Sequence, residues 1–325
     1  MVPRLVFVHG IGGPRDPARD RAGWCAALAK GMADAGHTRL ADALLDRVDC
    51  VFAHYADLFR TEQAQGTAHA PTAATEESEL LAQLVVAWVE QRAAADADGS
   101  APGESDERMR LLLARARAAA DAHEQSQGAL DVVRRAVNVA TTVLSLRPWS
   151  AAAGWITPKL MAHHLAQVAR YLARGERDLA GRSLDQRIRA RIAQAVDGRP
   201  AVVVAHSLGT VVALETLHET PSPIPLLVTL GSPIALRTVV RPRLVPQPPS
   251  VPACVARWHN HWDRDDVIAA RPFLEDDLLA SPTGVLPRTR RVDSDGFWVH
   301  AAETYLAHPD VAGPVAEALQ DLAGA

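Results

Sequence analysis

The sequence has few cysteines, no long apolar run and no excess of positive charge, and each absence excludes a class of protein. Cys25, Cys50 and Cys254 lie far apart and form no C-x-x-C pair, so a disulfide framework is excluded and no metal site is expected. The 325 residues carry a net charge of −4, which argues against a nucleic-acid partner. No stretch approaches about 18 consecutive apolar residues, so we expect no transmembrane segment.

The first residues also lack the features of a secretory leader. Residues 1–8 run directly into a glycine-rich motif, without an apolar stretch followed by a small-residue cleavage site. Together with the unpaired thiols, this predicts a cytoplasmic protein. With 48% hydrophobic and 22% charged residues, the composition is that of a globular protein with one large domain or two smaller ones.

Short apolar segments alternate with helical patterns over most of the chain. Apolar positions at i, i+3 and i+4 between the segments predict helices. The segments themselves predict strands at 5–8, 48–53, 201–205, 226–230, 255–262 and 289–299. This alternation predicts an α/β fold with a doubly wound, mostly parallel sheet.

Residues 61–158 have a different texture. They combine polar, acidic and glycine-containing stretches with stripes of helical spacing. We therefore predict an α/β core of residues 1–60 and 159–325, with a helical cap inserted at 61–158. The apolar residues of 129–156 either shape an acyl pocket or only pack the cap onto the core. Arginines in this segment allow at most a weak peripheral contact with a membrane.

A strand–turn–helix pattern at residues 201–213 carries the strongest chemical signal. A buried strand that ends at Ala205 is followed by a His-Ser-Leu-Gly turn and then by an apolar helix. This is the nucleophile-elbow pattern G-x-S-x-G, with Ala205 in the first glycine position and Gly209 in the second. Small residues at these two positions let the turn close sharply, so the pattern predicts Ser207 as a nucleophile.

A serine hydroxyl needs a base, and the base and its orienting acid should both follow the serine in the chain. His300 falls where the last predicted strand meets a helix, and we predict it as the base. Three carboxylates follow the preceding strand. Their spacing before an apolar pair favours Asp265 as the acid, with Asp263 as the runner-up and Asp266 third; those not used would cap the next turn.

A glycine-rich loop follows the first predicted strand and comprises His9, Gly10, Ile11, Gly12 and Gly13. A tetrahedral intermediate needs preorganised N–H donors for its negative charge. We predict the main-chain amides of Ile11 and Leu208 as this oxyanion hole, supported by a loop whose glycines allow close approach. A phosphate-binding G-x-G-x-x-G is excluded because Pro14 follows Gly13.

At these residues the chain resembles the α/β-hydrolase superfamily. The elbow and the His-Gly-Ile-Gly-Gly loop are similar to those of small bacterial lipases and esterases. The segment 229–233 and the spacing of Trp258, Asn260, Asp263 and Asp266 resemble a lipase-like branch, which adds weight to Asp263 and Asp266 as the acid. The resemblance covers about 1–60 and 160–325.

The resemblance implies an α/β-hydrolase fold and acyl transfer by a Ser-His-Asp triad, with no metal and no organic cofactor. We expect a carboxylic-ester hydrolase, esterase-like or lipase-like, that acts on a small acyl ester or a lipid-like substrate. A thioesterase, amidase, peptidase or acyltransferase on the same triad stays open, as does a non-catalytic binding or regulatory protein. Pocket shape sets the leaving group, and the sequence leaves the oligomeric state open.

Overall fold

The computed structural model describes residues 2–10, 16–59, 158–263, 273–293 and 300–324, and the positions 76, 77, 79–81, 83, 84, 87, 266 and 269. Over 158–164 it describes the backbone only. Eight helices are named here in chain order: α1 (Pro17–Asp34), α2 (Thr38–Asp42), α3 (Leu44–Arg47), α4 (Pro158–Ala173), α5 (Leu184–Val196), α6 (Leu208–Glu219), α7 (Ala302–Leu306) and α8 (Pro309–Gly324). Three 3₁₀ helices lie at Ala56–Phe59, Arg241–Arg243 and Leu274–Asp276.

The described strands form one six-stranded sheet in which every pairing is parallel. The strands are β1 (Arg4–Val8), β2 (Asp49–Ala53), β3 (Ala201–His206), β4 (Leu226–Leu230), β5 (Trp258–Asp263) and β6 (Pro287–Val292). Helices separate the strands from β1 to β4, and the described residues between β4 and β6 contain 3₁₀ helices. The predicted mostly parallel α/β class is therefore confirmed.

The strand order is β2-β1-β3-β4-β5-β6. The chain passes from β1 to β2 on one side, and then returns past β1 to build the rest of the sheet on the other side. The order thus reverses between β1 and β3. In open parallel sheets, the crevice beyond the carboxyl ends of the strands at such a point is the usual place for a ligand.

One hydrophobic core cluster lies on the face of the sheet that packs against α1 and α8. Alternate residues of β1, β3 and β4 point to this face, as the period of two in a strand requires, and the remaining residues of these strands are buried on the other face. Asp16 caps the start of helix α1, because its side chain accepts hydrogen bonds from the amides of Ala18 and Arg19. The core cluster includes Leu5, Phe7, Trp24, Leu28, Met32, Val202, Val204, Leu226, Val228, Leu230, Val315 and Leu319.

The last two strands differ in position from the prediction. Strand β5 begins at Trp258 rather than at Val255, which forms only an isolated bridge with Ile224. Strand β6 ends at Val292 and not at residue 299; residues 294–299 lie outside the described part. Only the first and last residues of β6 are buried, and such a polar edge strand lacks the apolar run that marks an inner strand.

The chain divides into two compact units. The first comprises Met1–Arg60, Gln186–Ala235 and Leu244–Ala325, and it contains the whole sheet. The second comprises Thr61–Asp185 and Leu236–Arg243. Most of the predicted cap at 61–158 lies outside the described residues, so that division stays a prediction. Within the described residues, no helix has both the length and the apolar character needed to cross a membrane.

Candidate active site

Ser207 occupies the turn between strand β3 and helix α6. Its φ of 54° and ψ of −129° lie in a main-chain region that L-residues other than glycine rarely adopt. Holding a residue in such a conformation costs about 1–3 kcal/mol of folding free energy. The Ser207 amide donates to the Leu230 carbonyl at 3.0 Å. The Ser207 carbonyl accepts from the Thr210 amide at 2.9 Å and from the Thr210 hydroxyl at 2.7 Å. These bonds hold the strained residue in place.

A chain of hydroxyl groups supports this turn from the end of β4. Thr210 has one hydroxyl proton and gives it to the Ser207 carbonyl. The Ser232 hydroxyl lies 2.8 Å from Thr210 Oγ1 and is therefore the donor in that pair. The Ile234 amide in turn donates to Ser232 Oγ at 3.2 Å. The segment after β4 thus helps to fix the main chain at Ser207.

The glycine two residues after Ser207 lets helix α6 start directly against the end of β1. A Cβ atom on Gly209 would lie 2.4 Å from the His9 carbonyl oxygen and 2.5 Å from that of Val8. These distances are far shorter than any real carbon–oxygen contact, so only glycine fits without a shift of the main chain. The small residue that the elbow pattern requires here therefore has a visible steric cause.

His9 anchors the loop after β1 and is locked in one tautomer. The Tyr55 amide donates to His9 Nε2 at 3.2 Å, so this nitrogen carries the lone pair. The proton is then on Nδ1, which donates to the Gly10 carbonyl at 2.6 Å. The Tyr55 hydroxyl donates to the His9 carbonyl, and the two rings stack at 4.0 Å. Both ring nitrogens of His9 are thus engaged, and its role is to hold the loop.

Gly10 brings this loop into contact with Ser207. A Cβ atom on Gly10 would lie 2.5 Å from Ser207 Cβ and 2.9 Å from the His206 carbonyl oxygen. The next residues, Ile11, Gly12 and Gly13, lie outside the described part, so the Ile11 amide as an oxyanion donor stays a prediction. Leu208 is buried at the start of α6, where amides have no acceptor within the helix.

His300 lies after β6 and is hydrogen-bonded to a buried carboxylate. Its Nδ1 is 2.9 Å from each carboxylate oxygen of Asp266, which has no solvent exposure. Nδ1 therefore carries the proton, and the lone pair of the neutral ring is on Nε2. The Asp266 Oδ1 also accepts from the Ala269 amide at 3.4 Å. This pair has the geometry of a general base with its orienting acid.

The structure describes two of the three acid candidates. Asp266, which the sequence placed third, is the carboxylate that holds His300. Asp263 is the last residue of β5, and its amide donates to the Tyr305 hydroxyl at 3.1 Å. Asp265 lies outside the described residues, so its role as the acid stays a prediction. Among the described carboxylates, Asp266 is the one that can orient His300.

Tyr305 also contacts Asp266, and this residue was not predicted from the sequence. Its hydroxyl donates to Asp266 Oδ2 at 2.6 Å, and its side chain is completely buried in helix α7. Burial, followed by the charge of Asp266, raises the pKa of Tyr305 well above its ordinary value, so the hydroxyl stays protonated. The sequence offers little to identify this residue: Tyr305 is one of three tyrosines and lies five residues after the predicted base.

Ser207 and His300 approach the same short turn at the end of β4. Ser207 bonds to Leu230, and His300 lies against Gly231, where a Cβ atom would be 3.2 Å from Nδ1. The ring of His206 lies 4.6 Å from the ring of His300. Ser207 Oγ and His300 Nε2 are both buried, and neither has a hydrogen-bond partner in the described part of the chain. No described residue thus engages either of these two atoms.

Over the part of the chain that the structure describes, no group of three or more His, Cys, Asp or Glu side chains is arranged to hold a metal ion. Comparison with protein-family models, with curated proteins and with solved structures finds no match for this chain. The geometry of the site itself is therefore the basis on which a function can be assigned.

Proposed function

We propose that the protein is a serine hydrolase that acts by acyl transfer, with Ser207 as the nucleophile, His300 as the base and Asp266 as the acid. One observation carries the proposal: Ser207, held at a φ of 54°, and the buried His300–Asp266 pair both contact the short turn at Leu230 and Gly231. An ordinary serine in a strand–helix connection has no reason to adopt a strained conformation next to a paired imidazole. Strain of this kind is typical of functional sites.

The chain order of the three residues supports the same conclusion. The serine follows β3, the aspartate follows β5 and the histidine follows β6, which is the Ser–Asp–His order of α/β hydrolases. The first strand along the chain, β1, leads into the glycine-rich loop, as in minimal members of that superfamily. The reversal of strand order between β1 and β3 is where open parallel sheets usually bind a ligand, and Ser207 directly follows β3 at that point.

In the first half of the reaction, His300 Nε2 accepts the proton of Ser207 as the Ser207 oxygen attacks the substrate carbonyl. Asp266 keeps the proton of Nδ1 in place and stabilises the imidazolium that forms. The Leu208 amide donates to the oxyanion, together with the Ile11 amide that the sequence predicts. His300 then gives its proton to the leaving alcohol, and an acyl-Ser207 ester remains.

In the second half, a water molecule takes the place of the leaving group. His300 accepts a proton from this water as its oxygen attacks the acyl carbon, and the same amides stabilise the second oxyanion. The proton returns to Ser207 as the acid is released. Side chains and main-chain amides of this chain supply every group in the cycle.

A fluorophosphonate probe tests the proposal, because it reacts covalently only with an activated serine. We expect one labelled peptide containing Ser207 and no label after Ser207→Ala. Ser222→Ala is a matched control, because Ser222 is also buried with a hydroxyl that lacks a partner among the described residues. It should keep its label. An unlabelled wild-type protein would contradict the proposal and favour a binding or regulatory protein.

The leaving group is then tested with a fixed series of acyl chains on ester, thioester and amide leaving groups. We expect the highest kcat/KM for an ester, and a loss of at least about 10³-fold after Ser207→Ala. A higher kcat/KM for thioesters or amides would change the substrate class and leave the triad unchanged. The comparison of chain lengths would show whether the substrate is a short ester or lipid-like.

A further inference from the structure

The residues around Asp266 form a closed ring of contacts. His300 and Tyr305 lie on one segment of chain, five residues apart, and both donate to the same carboxylate. The third contact is the Asp263 amide, which donates to the Tyr305 hydroxyl oxygen at 3.1 Å. The base and the phenol therefore hold Asp266 between them.

The direction of each proton in this ring is fixed. The Tyr305 oxygen accepts from an amide, which can only donate, and its own proton goes to the Asp266 carboxylate, which accepts at 2.6 Å. A buried phenol beside a carboxylate keeps its proton, because the phenolate would be a second buried negative charge. Tyr305 is therefore a permanent donor to Asp266.

The bond from Tyr305 is important because the bond between His300 and Asp266 does not by itself fix the orientation of the carboxylate. Both oxygens of Asp266 lie 2.9 Å from His300 Nδ1, which has a single proton to share between them. The strong bond from Tyr305 holds Oδ2, and the longer bond from the Ala269 amide at 3.4 Å holds Oδ1. Loss of the phenol removes the bond that holds Oδ2, and we expect the imidazole paired with this carboxylate to be less firmly oriented.

We propose that Tyr305 is a positioning residue of the reaction, which acts through Asp266 to hold the His300 ring in its working orientation. The inference rests on the proposed function. It adds to the triad a fourth side chain that touches neither the substrate nor the nucleophile. Its effect should appear in the chemical step and not in substrate binding.

The first test is Tyr305→Phe, which removes one oxygen and keeps the ring. We expect kcat and the rate of fluorophosphonate labelling to fall about 10- to 100-fold with KM unchanged, since a hydrogen bond to a charged group is lost. Tyr171→Phe, a second fully buried tyrosine, is the control and should change neither rate. Circular dichroism would establish that both variants are folded. Equal labelling rates for wild type and Tyr305→Phe would overturn the inference.

A double-mutant cycle separates a positioning role from general destabilisation. If Tyr305 acts through Asp266, Tyr305→Phe should have little further effect on a protein that already carries Asp266→Asn. If the two losses multiply, Tyr305 acts by another route and the inference is wrong.

A spectroscopic test does not depend on turnover. The proton that His300 Nδ1 shares with Asp266 should give a low-field proton NMR signal, absent in His300→Gln. Tyr305→Phe should shift or broaden this signal, and Tyr171→Phe should leave it unchanged. An unshifted signal would overturn the inference. If Tyr305→Phe shifts the signal but the wild-type protein does not react with the fluorophosphonate probe, the proposed function is overturned instead.

Discussion

Gly231 lies so close to Asp266 that a Cβ atom built on it would be 2.6 Å from Oδ2 of the carboxylate. The same atom would be 3.2 Å from His300 Nδ1. The glycine also has a φ of 54°, which any other residue would adopt only with strain. The end of β4 therefore forms a wall on one side of the base and its acid.

From this wall we predict that Gly231→Ala lowers kcat at least about tenfold and destabilises the fold by about 2–4 kcal/mol. Gly284→Ala is the matched control, because Gly284 also has a positive φ, of 82°, but no atom within 4 Å of the added carbon. Gly284→Ala should lower the free energy of unfolding only by the backbone strain at its positive φ and should leave kcat unchanged. Urea unfolding and ester hydrolysis of both variants would measure the difference. Equal losses would show that the contact with Asp266 has no effect.

The strained main chain at Ser207 predicts opposite effects of substitution on activity and on stability. Ser207→Ala and Ser207→Gly should both lose at least about 10³-fold in activity. The glycine variant should be about 1 kcal/mol more stable than the alanine variant, because glycine adopts a φ of 54° without strain. Thermal unfolding of both variants tests this. A less stable glycine variant would mean that the turn stores no strain.

The Thr210 hydroxyl predicts a loss that is specific to the elbow. Thr210→Val keeps the shape of the side chain but removes the bond to the Ser207 carbonyl, and we expect about 1–2 kcal/mol of destabilisation with a fall in kcat. Thr216→Val is the control, since the Thr216 hydroxyl bonds to Val212 in the same buried helix. It should destabilise without a change in kcat. A parallel fall in kcat in both variants would contradict a specific role for Thr210.

Gly10 predicts an effect of loop position on catalysis. A methyl group there would meet Ser207 Cβ at 2.5 Å and the His206 carbonyl at 2.9 Å, so Gly10→Ala should push the loop away from the nucleophile. We expect kcat/KM to fall at least about tenfold. Gly23→Ala is the control, because its new carbon would make only an ordinary contact at 3.7 Å. Unchanged hydrolysis by Gly10→Ala would exclude the loop from the site.

His261 predicts how stability depends on pH. Burial, followed by the charges of His259 and Arg290, lowers the pKa of His261 to about 3, whereas an unfolded histidine titrates near 6.5. Between about pH 3 and 6.5 the unfolded chain binds a proton that the folded chain does not, so stability decreases as the pH falls through this window.

We therefore predict that His261→Leu reduces the loss of stability between pH 8 and pH 5. The substitution should cost little at pH 8, because neither ring nitrogen of His261 has a hydrogen-bond partner within the described part of the chain. Urea midpoints of wild type and variant at the two pH values would test this. Parallel decreases in both proteins would exclude His261 as the source.

The class of fold was predictable because buried parallel strands leave continuous apolar runs, such as the one that becomes β3. The turn at Ser207 was predictable for a related reason, since its small residues, strand and helix are neighbours in the chain. The edge strand β6 was misplaced because its polar residues lack such a run.

The acid and its support were harder to predict because they depend on distant contacts. Three carboxylates lie within four residues, and the sequence does not state which of them faces His300. In the described structure that side chain is Asp266, against a wall formed by Gly231. The contact of Tyr305 with this carboxylate depends on the packing of helix α7 and could not be predicted from the sequence.

The pairing of β1 with β3 also has a consequence for biosynthesis. Arg4 pairs with Ala201, so β1 must wait for roughly 200 further residues before its inner neighbour exists. At about 5–20 residues per second, the ribosome needs roughly 10–40 s to supply it. During that interval β1, whose five residues are all buried in the finished sheet, has only β2 beside it. The apolar residues of β1 therefore stay without their inner neighbour in the sheet until the second half of the protein has been made.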